Sequence, residues 1–273
     1  MTQGNLTMKR NLLYKYRITA NIAAKNYIGD SPHFLLNELL RLIRVALMLS
    51  LWRILLAGRP EGVDGMTLST LLTYTLVAEL FAEQMAAQTG IEDLIWNGTI
   101  LTRFLQPMPL VGVLSAEMVG RWRVGFWLVT IPLLLLCPLF GVSPLPASLT
   151  AGVLFTVSLA LAIIVGLALD TIFASFMIVW GGNIWILSDL RNAVATLLTG
   201  AFLPYALLPY GIGKVFAWLP FAAMASAPLQ IFTGTGGNSL QLLVLQLFWA
   251  VTLTFTAVKV WSFSRERIVG QGG

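Results

Sequence analysis

Ala151–Leu169 reads AGVLFTVSLALAIIVGLAL and carries no charge. A membrane-spanning helix needs roughly 20 mostly apolar residues, and this run is too long and too apolar for a surface helix. Leu133–Phe140 and Leu242–Val258 have the same character. Across the 273 residues, 57% are hydrophobic and 11% charged, and the mean hydropathy is +0.81. A soluble domain carries about a quarter charged residues. In hydrocarbon every backbone N–H and C=O must be paired within a helix or a closed barrel. Barrel strands show short alternating segments, whereas the runs here are continuous. The chain is therefore an all-α integral membrane protein, a single domain over residues 1–273 with length for about six spans.

Working outward from that run, residues 8–29 are amphipathic, with Leu12, Leu13, Tyr16, Ala20, Ala23 and Tyr27 near helical spacing. Lys9, Arg10, Lys15, Arg17 and Lys25 add charge, so this helix is expected to lie in the interface and contact membrane lipids. Ser31-Pro32 is a helix-start signal for a first span to about Ala57. A Gly- and Pro-rich loop over residues 58–65 separates it from a second span over Leu68–Gln88. Thr89–Pro109 is too polar to span. A third span is expected over Val113–Phe140. The stretch 148–187 holds a single charge, Asp170, and reads either as one long span ending near residues 180–183 or as two shorter ones. Another apolar helix reaches about Leu203 after Asp189 and Arg191. Pro204, Pro209, Pro220 and Pro228 then interrupt an apolar sequence. Proline removes a donor and clashes with the preceding turn, so residues 203–234 are expected to form short broken helices dipping in from one face. Leu240–Phe263 is the last span.

Orientation follows from the basic residues. With both termini cytoplasmic, only Arg53, Arg59 and Lys214 of the 17 Lys and Arg fall toward the outer side, as the positive-inside rule requires. The net charge of +5 then anchors the inner face and does not point to nucleic acid. The first thirty residues show no signal-peptide pattern. Cys137 and His33 are each the sole residue of their type, so neither a disulfide nor a Cys- or His-based metal site is expected. Gly213-Lys214 is followed by Val215 and lacks the upstream glycine of a phosphate loop, and no H-E-x-x-H is present.

Two signals remain. Glu38, Arg41, Arg44, Glu79 and Glu83 fall inside the first two spans, where charge is expensive and needs a partner or a cavity. At about 1.5 Å per residue, Arg44 lies roughly 18 Å from Pro32 and Glu79 roughly 16 Å from Leu68 on the antiparallel neighbour. Arg44 is thus matched with Glu79, and Arg41 with Glu83 one turn nearer the inner face. The pairs read either as a structural ladder or as the lining of a transport path. The second signal is Ile91–Leu110, IEDLIWNGTILTRFLQPMPL. A helix over Ile91–Leu105 is expected, with Glu92 and Asp93 favoured by the helix dipole in its first turn and Arg103 at its end. Pro107 and Pro109 stop it. Leu94, Trp96, Leu101 and Phe104 offer an apolar face for the bilayer or a docked partner.

Residues 89–109 resemble the cytoplasmic coupling segment of bacterial type-2 ABC transporter permeases, through Ile91, Glu92, Leu94, Gly98, Leu101, Arg103, Leu105, Pro107 and Pro109. Gln106 stands where many relatives have Arg before Pro. Residues 15–56 resemble that family's N-terminal helix and first span. Gly200–Gly234 is similar to its broken external helices, through Phe202, Pro204, Leu208, Pro209, Leu219, Pro220, Phe221 and Pro228. The resemblance implies a membrane subunit of an ATP-driven exporter in a bacterial inner membrane, paired with a second permease chain. It implies two separate ATPase subunits that hold ATP and Mg, with no cofactor in this chain. It places ATPase coupling at Glu92, Asp93, Leu94, Trp96, Leu101, Arg103 and Phe104. Phe202, Pro204, Tyr205, Pro209, Tyr210, Trp218 and Pro220 are candidates for an external gate. Two alternatives stand beside it: an ion-coupled transporter using the intramembrane Glu and Arg, and a membrane-embedded lipid-modifying enzyme. The first predicts inverted repeats, and the second a cluster of His, Asp or Ser at one interface; neither is evident in the sequence.

Overall fold

The computed structural model describes residues 2–29, 34–58, 62, 65–180 and 184–271. The Ser31-Pro32 start signal, His33, most of the first loop and residues 181–183 lie outside them. The chain is 82% helical, without strands among the described residues. Among the described residues, three helices are long and apolar enough to cross a membrane: Leu110–Phe140, Leu149–Trp180 and Ser239–Glu266.

Helix α1, Thr2–Gly29, packs along the helix Leu110–Phe140. Small residues allow the approach: a methyl at Gly120 would lie 2.2 Å from the Ala20 carbonyl oxygen. Tyr14, Ile18 and Ile22, four residues apart, form an exposed apolar face. Helix α2, Phe34–Leu56, buries Val45, Leu49, Trp52 and Leu56 at helical spacing. Its opposite side exposes Leu39, Ile43, Leu47 and Ile54.

The second span is not one helix. Helix α3, Leu68–Leu80, is capped by the Thr67 hydroxyl, which accepts from the Thr70 amide. It kinks at Phe81 (φ −112°, ψ 18°) into a short helix α4, Ala82–Ala86, which closes on Ala87 in the left-handed region. Side chains take up carbonyls at the kink: the Thr130 hydroxyl donates to Leu80 and the Arg41 guanidinium to Glu79. Together α3 and α4 rise about 28 Å, close to the ~30 Å hydrocarbon core.

After two short helices, α5 (Ile91–Trp96) and α6 (Ile100–Phe104), comes α7, Leu110–Phe140. It contains a π turn over Phe126–Thr130 and tightens at Cys137–Phe140. Helix α8, Leu149–Trp180, resolves the stretch left open by the sequence as one helix of 32 residues. Helix α9, Ile184–Leu198, ends sooner than expected, before a left-handed Gly200. Its 15 residues rise only about 22 Å, short of a full crossing.

Residues 199–238 complete the wall. Short turns over Tyr205–Leu207, Pro209–Gly211 and Pro220–Ala223 flank helix α10, Ile212–Phe216, and precede helix α11, Ser226–Thr233. Helix α11 is nearly all buried between α3 and α8, with Phe232 edge-on to Phe155 at 5.0 Å. Pro204, Pro209 and Pro220 thus break the backbone into short pieces, of which α11 is covered by protein while residues 209–212 are exposed. Helix α12, Ser239–Gln271, packs along the length of α8. The Gln246 side chain fixes their register: it accepts from the Ser158 hydroxyl at 2.6 Å and donates to the Ala223 carbonyl at 2.8 Å.

Candidate functional site

Sequence spacing put the intramembrane charges of α2 opposite those of α3 and α4, and the helices bring them into contact. Arg44 Nη2 lies 2.8 Å from Glu79 Oε2, and Arg41 Nη1 lies 3.4 Å from Glu83 Oε1. Glu79 is shared, since Arg41 Nε also approaches it at 3.6 Å. Glu38 lies one turn back, 3.9 Å from Arg41. The group is thus a connected cluster rather than two separate rungs. Gly125 makes room for it: a methyl there would lie 2.6 Å from a Glu83 carboxylate oxygen.

The Arg44–Glu79 pair lines one side of a cavity of about 430 Å³. Ala78, Ala82, Ala195 and Ala225 keep it open, while Phe173, Phe202, Phe221 and Met224 give it apolar walls. Asp170 and Arg191 line it as well. These two belong to a network that sequence reasoning missed. Arg191 on α9 grips both Glu92 oxygens, at 2.6 and 2.8 Å, and reaches Asp170 on α8 at 2.9 Å. The second Asp170 oxygen accepts from the Thr89 amide at 3.1 Å and from its hydroxyl. Asp170 is 3% exposed and Arg191 6%, so each needs its counter-charge. One signal was available: Asp170 is the only charge in residues 148–187, and Arg191 follows in an apolar helix.

The segment expected to be one helix over Ile91–Leu105 is two. Asn97-Gly98-Thr99 divides it, with Gly98 at φ +66°, a left-handed conformation that glycine adopts readily. Its candidate residues separate by role. Leu94 and Phe104 face inward onto a cluster of Ile91, Ile100, Leu110, Leu114 and Ala174. Phe104 stacks on Trp261 of α12 at 6.4 Å. Trp96, edge-on to Trp185 at 5.5 Å, and Leu101 are exposed. Glu92 is held by Arg191 and does more than sit in a helix dipole. Arg103 pairs with Glu117 at 2.8 Å. Asp93 lies at the surface, where partial loss of hydration, with Glu92 beside it, raises its carboxyl above the ordinary value.

The external candidates also divide. Pro204 and Tyr205 are buried, and the Tyr205 hydroxyl donates to the Leu198 carbonyl. Pro220 is half-buried. The Trp218 ring is exposed, and its carbonyl accepts from Trp249 Nε1 at 3.1 Å. Pro209 is exposed, and Tyr210, 97% exposed, sits at φ +59°. Phe202 is exposed on the cavity lining. Among the described residues no group of His, Cys, Asp and Glu has the arrangement of a metal site.

A family model described as ABC-2 family transporter protein matches residues 42–272. No match is found among curated proteins.

Proposed function

The chain belongs to the ABC-2 family of transporter proteins, and from that premise we propose that it is the permease subunit of an ATP-driven exporter. In this reading two copies, or this chain and a related one, form the pathway. Two ATPase subunits hold ATP and Mg and dock on residues 89–109. The chain sits in a bacterial inner membrane with both termini cytoplasmic. Tyr210, Trp218 and the buried turn around Pro204 and Tyr205 gate the outer end.

The observation that carries the coupling assignment is the exposure of Trp96, Leu101 and Leu105 on a segment whose Ile91 and Ile100 are buried and whose Leu94 and Phe104 pack inward. Large apolar groups held outward by a packed base are what a partner groove engages. Family membership weighs against the ion-coupled alternative, and so does the occupation of the Glu79 and Glu83 carboxylates by arginine.

The test is purification. Tagged chain extracted from native membranes in mild detergent should retain an ATP-hydrolysing partner, and the separated chain should hydrolyse none. Hydrolysis by a preparation free of other proteins, or no retained ATPase, overturns the reading.

A further inference from the structure

Two buried charges and a half-buried one join three parts of the molecule. Glu92 belongs to the segment between the second and third spans, Asp170 to the long helix α8, and Arg191 to α9. Two of them, Asp170 and Arg191, line the cavity. The apolar cluster beneath α5 also ties it to α8, through Ile91 and Ala174, but apolar contact is non-directional and permits sliding. A guanidinium gripping a carboxylate at two points fixes orientation as well as distance. Asp170 is pinned in turn by the amide and hydroxyl of Thr89, three residues before Glu92. The bridge therefore closes on itself: displacement of Thr89–Glu92 pulls on α8 and on α9 together. A buried ion bridge adds little net stability over a well-packed apolar alternative, so stability alone gives no reason to place three charges here.

We propose that Arg191 is a positioning residue that carries movement of the 89–96 segment into the wall of the cavity, by gripping Glu92 and Asp170 at once. This inference rests on the reading of residues 89–109 as the ATPase dock. An ATPase that shifts the segment would rotate or translate α9 and change the width of the cavity that α9 lines. Lysine does not replace arginine at this position, because an ammonium is a point charge without a planar fork.

The test uses the complex of the full chain with its ATPase, in a Cys137→Ala background with Thr196→Cys on the α9 cavity lining. N-ethylmaleimide labelling of that cysteine is timed with the ATPase free and with it trapped by vanadate. In the parent complex the two rates should differ by roughly fivefold or more, the lower end of ordinary coupling between sites. Glu92→Gln removes the carboxylate and one of the two acceptors, so the two-point grip on the segment is lost while the Arg191–Asp170 contact stays, and Arg191→Lys removes that grip from the other side. Both should bring the ratio to within about twofold of one, far below that coupling. A full parent-like ratio in Glu92→Gln overturns the proposal. So does a ratio of one in a parent complex that retains ATPase, and so does loss of folded protein in both variants, which would make the bridge a folding element. If the parent retains no ATPase, the reading beneath it fails, and the inference fails with it.

Discussion

Replacing Glu79 by Ala tests how the intramembrane charges are held. Glu79 serves two arginines unequally. Arg44, 2.8 Å away, has a side chain 58% exposed toward the cavity, and Arg41, 3.6 Å away, is 14% exposed. Breaking a fully buried pair costs about 3–5 kcal/mol because one charge is left alone. Here neither arginine is left alone in that sense. Arg41 keeps Glu83 at 3.4 Å, Glu38 at 3.9 Å and the Glu79 backbone carbonyl, and Arg44 faces open space. The expected loss is therefore that of hydrogen bonds to a charged group, about 1.5–3 kcal/mol. Arg44→Ala alone should cost less, and the double variant should recover part of the Glu79→Ala loss, with a coupling of about 0.5–1.5 kcal/mol, toward the low end for residues in contact. The assay is the thermal midpoint of detergent-solubilised chain followed by size-exclusion fluorescence for parent, both single variants and the double. A Glu79→Ala midpoint equal to the parent's refutes the argument. Strict additivity in the double variant would show that the Arg44–Glu79 contact contributes nothing. Loss of transport at an unchanged midpoint would assign Glu79 to the pathway.

Gly120→Ala should shift the midpoint downward by the equivalent of about 1–3 kcal/mol, because its methyl would meet the Ala20 carbonyl at 2.2 Å; an unchanged midpoint in the same assay would show that α1 moves aside freely. Trp96→Ala should weaken ATPase retention about thirtyfold, or 2 kcal/mol, in a quantitative pull-down, while leaving the thermal midpoint in place. Phe104→Ala should do the reverse, lowering the midpoint through its lost stacking on Trp261. Cysteines at Tyr210 or Lys214 in a Cys137-free chain should react with an impermeant maleimide from outside the cell, and reaction only from the cytoplasmic side would invert the topology.

Legibility in the sequence followed the physics of each element. The long helices were readable because hydrocarbon demands continuous apolar runs, and α7, α8 and α12 supply them. The matched depths of Arg44 with Glu79 and of Arg41 with Glu83 were readable because two antiparallel helices of known rise convert sequence distance into height. The kink at Phe81 was not readable. It depends on Thr130 and Arg41, side chains from other helices, taking up carbonyls of α3. Nor was the division of residues 91–104 into two helices, although Gly98 within IWNGTI gave a local hint.

The Glu92–Arg191–Asp170 bridge lies beyond any local pattern, because its members are separated by 99 and 21 residues. What the sequence did expose was a debt of charge: Asp170 stands in an apolar run, and neither it nor Arg191 has a helical neighbour of opposite sign four residues away. A buried charge that cannot be answered within its own helix must be answered across helices. Asp170 requires a cation and Arg191 an anion, and each could have been proposed for the other once α8 and α9 were seen to be in contact. Glu92 could not have been assigned in this way, because the first turn of α5 already gave it a sufficient local reason. The local reason and the tertiary one coexist, and the tertiary one decides what the residue is able to transmit.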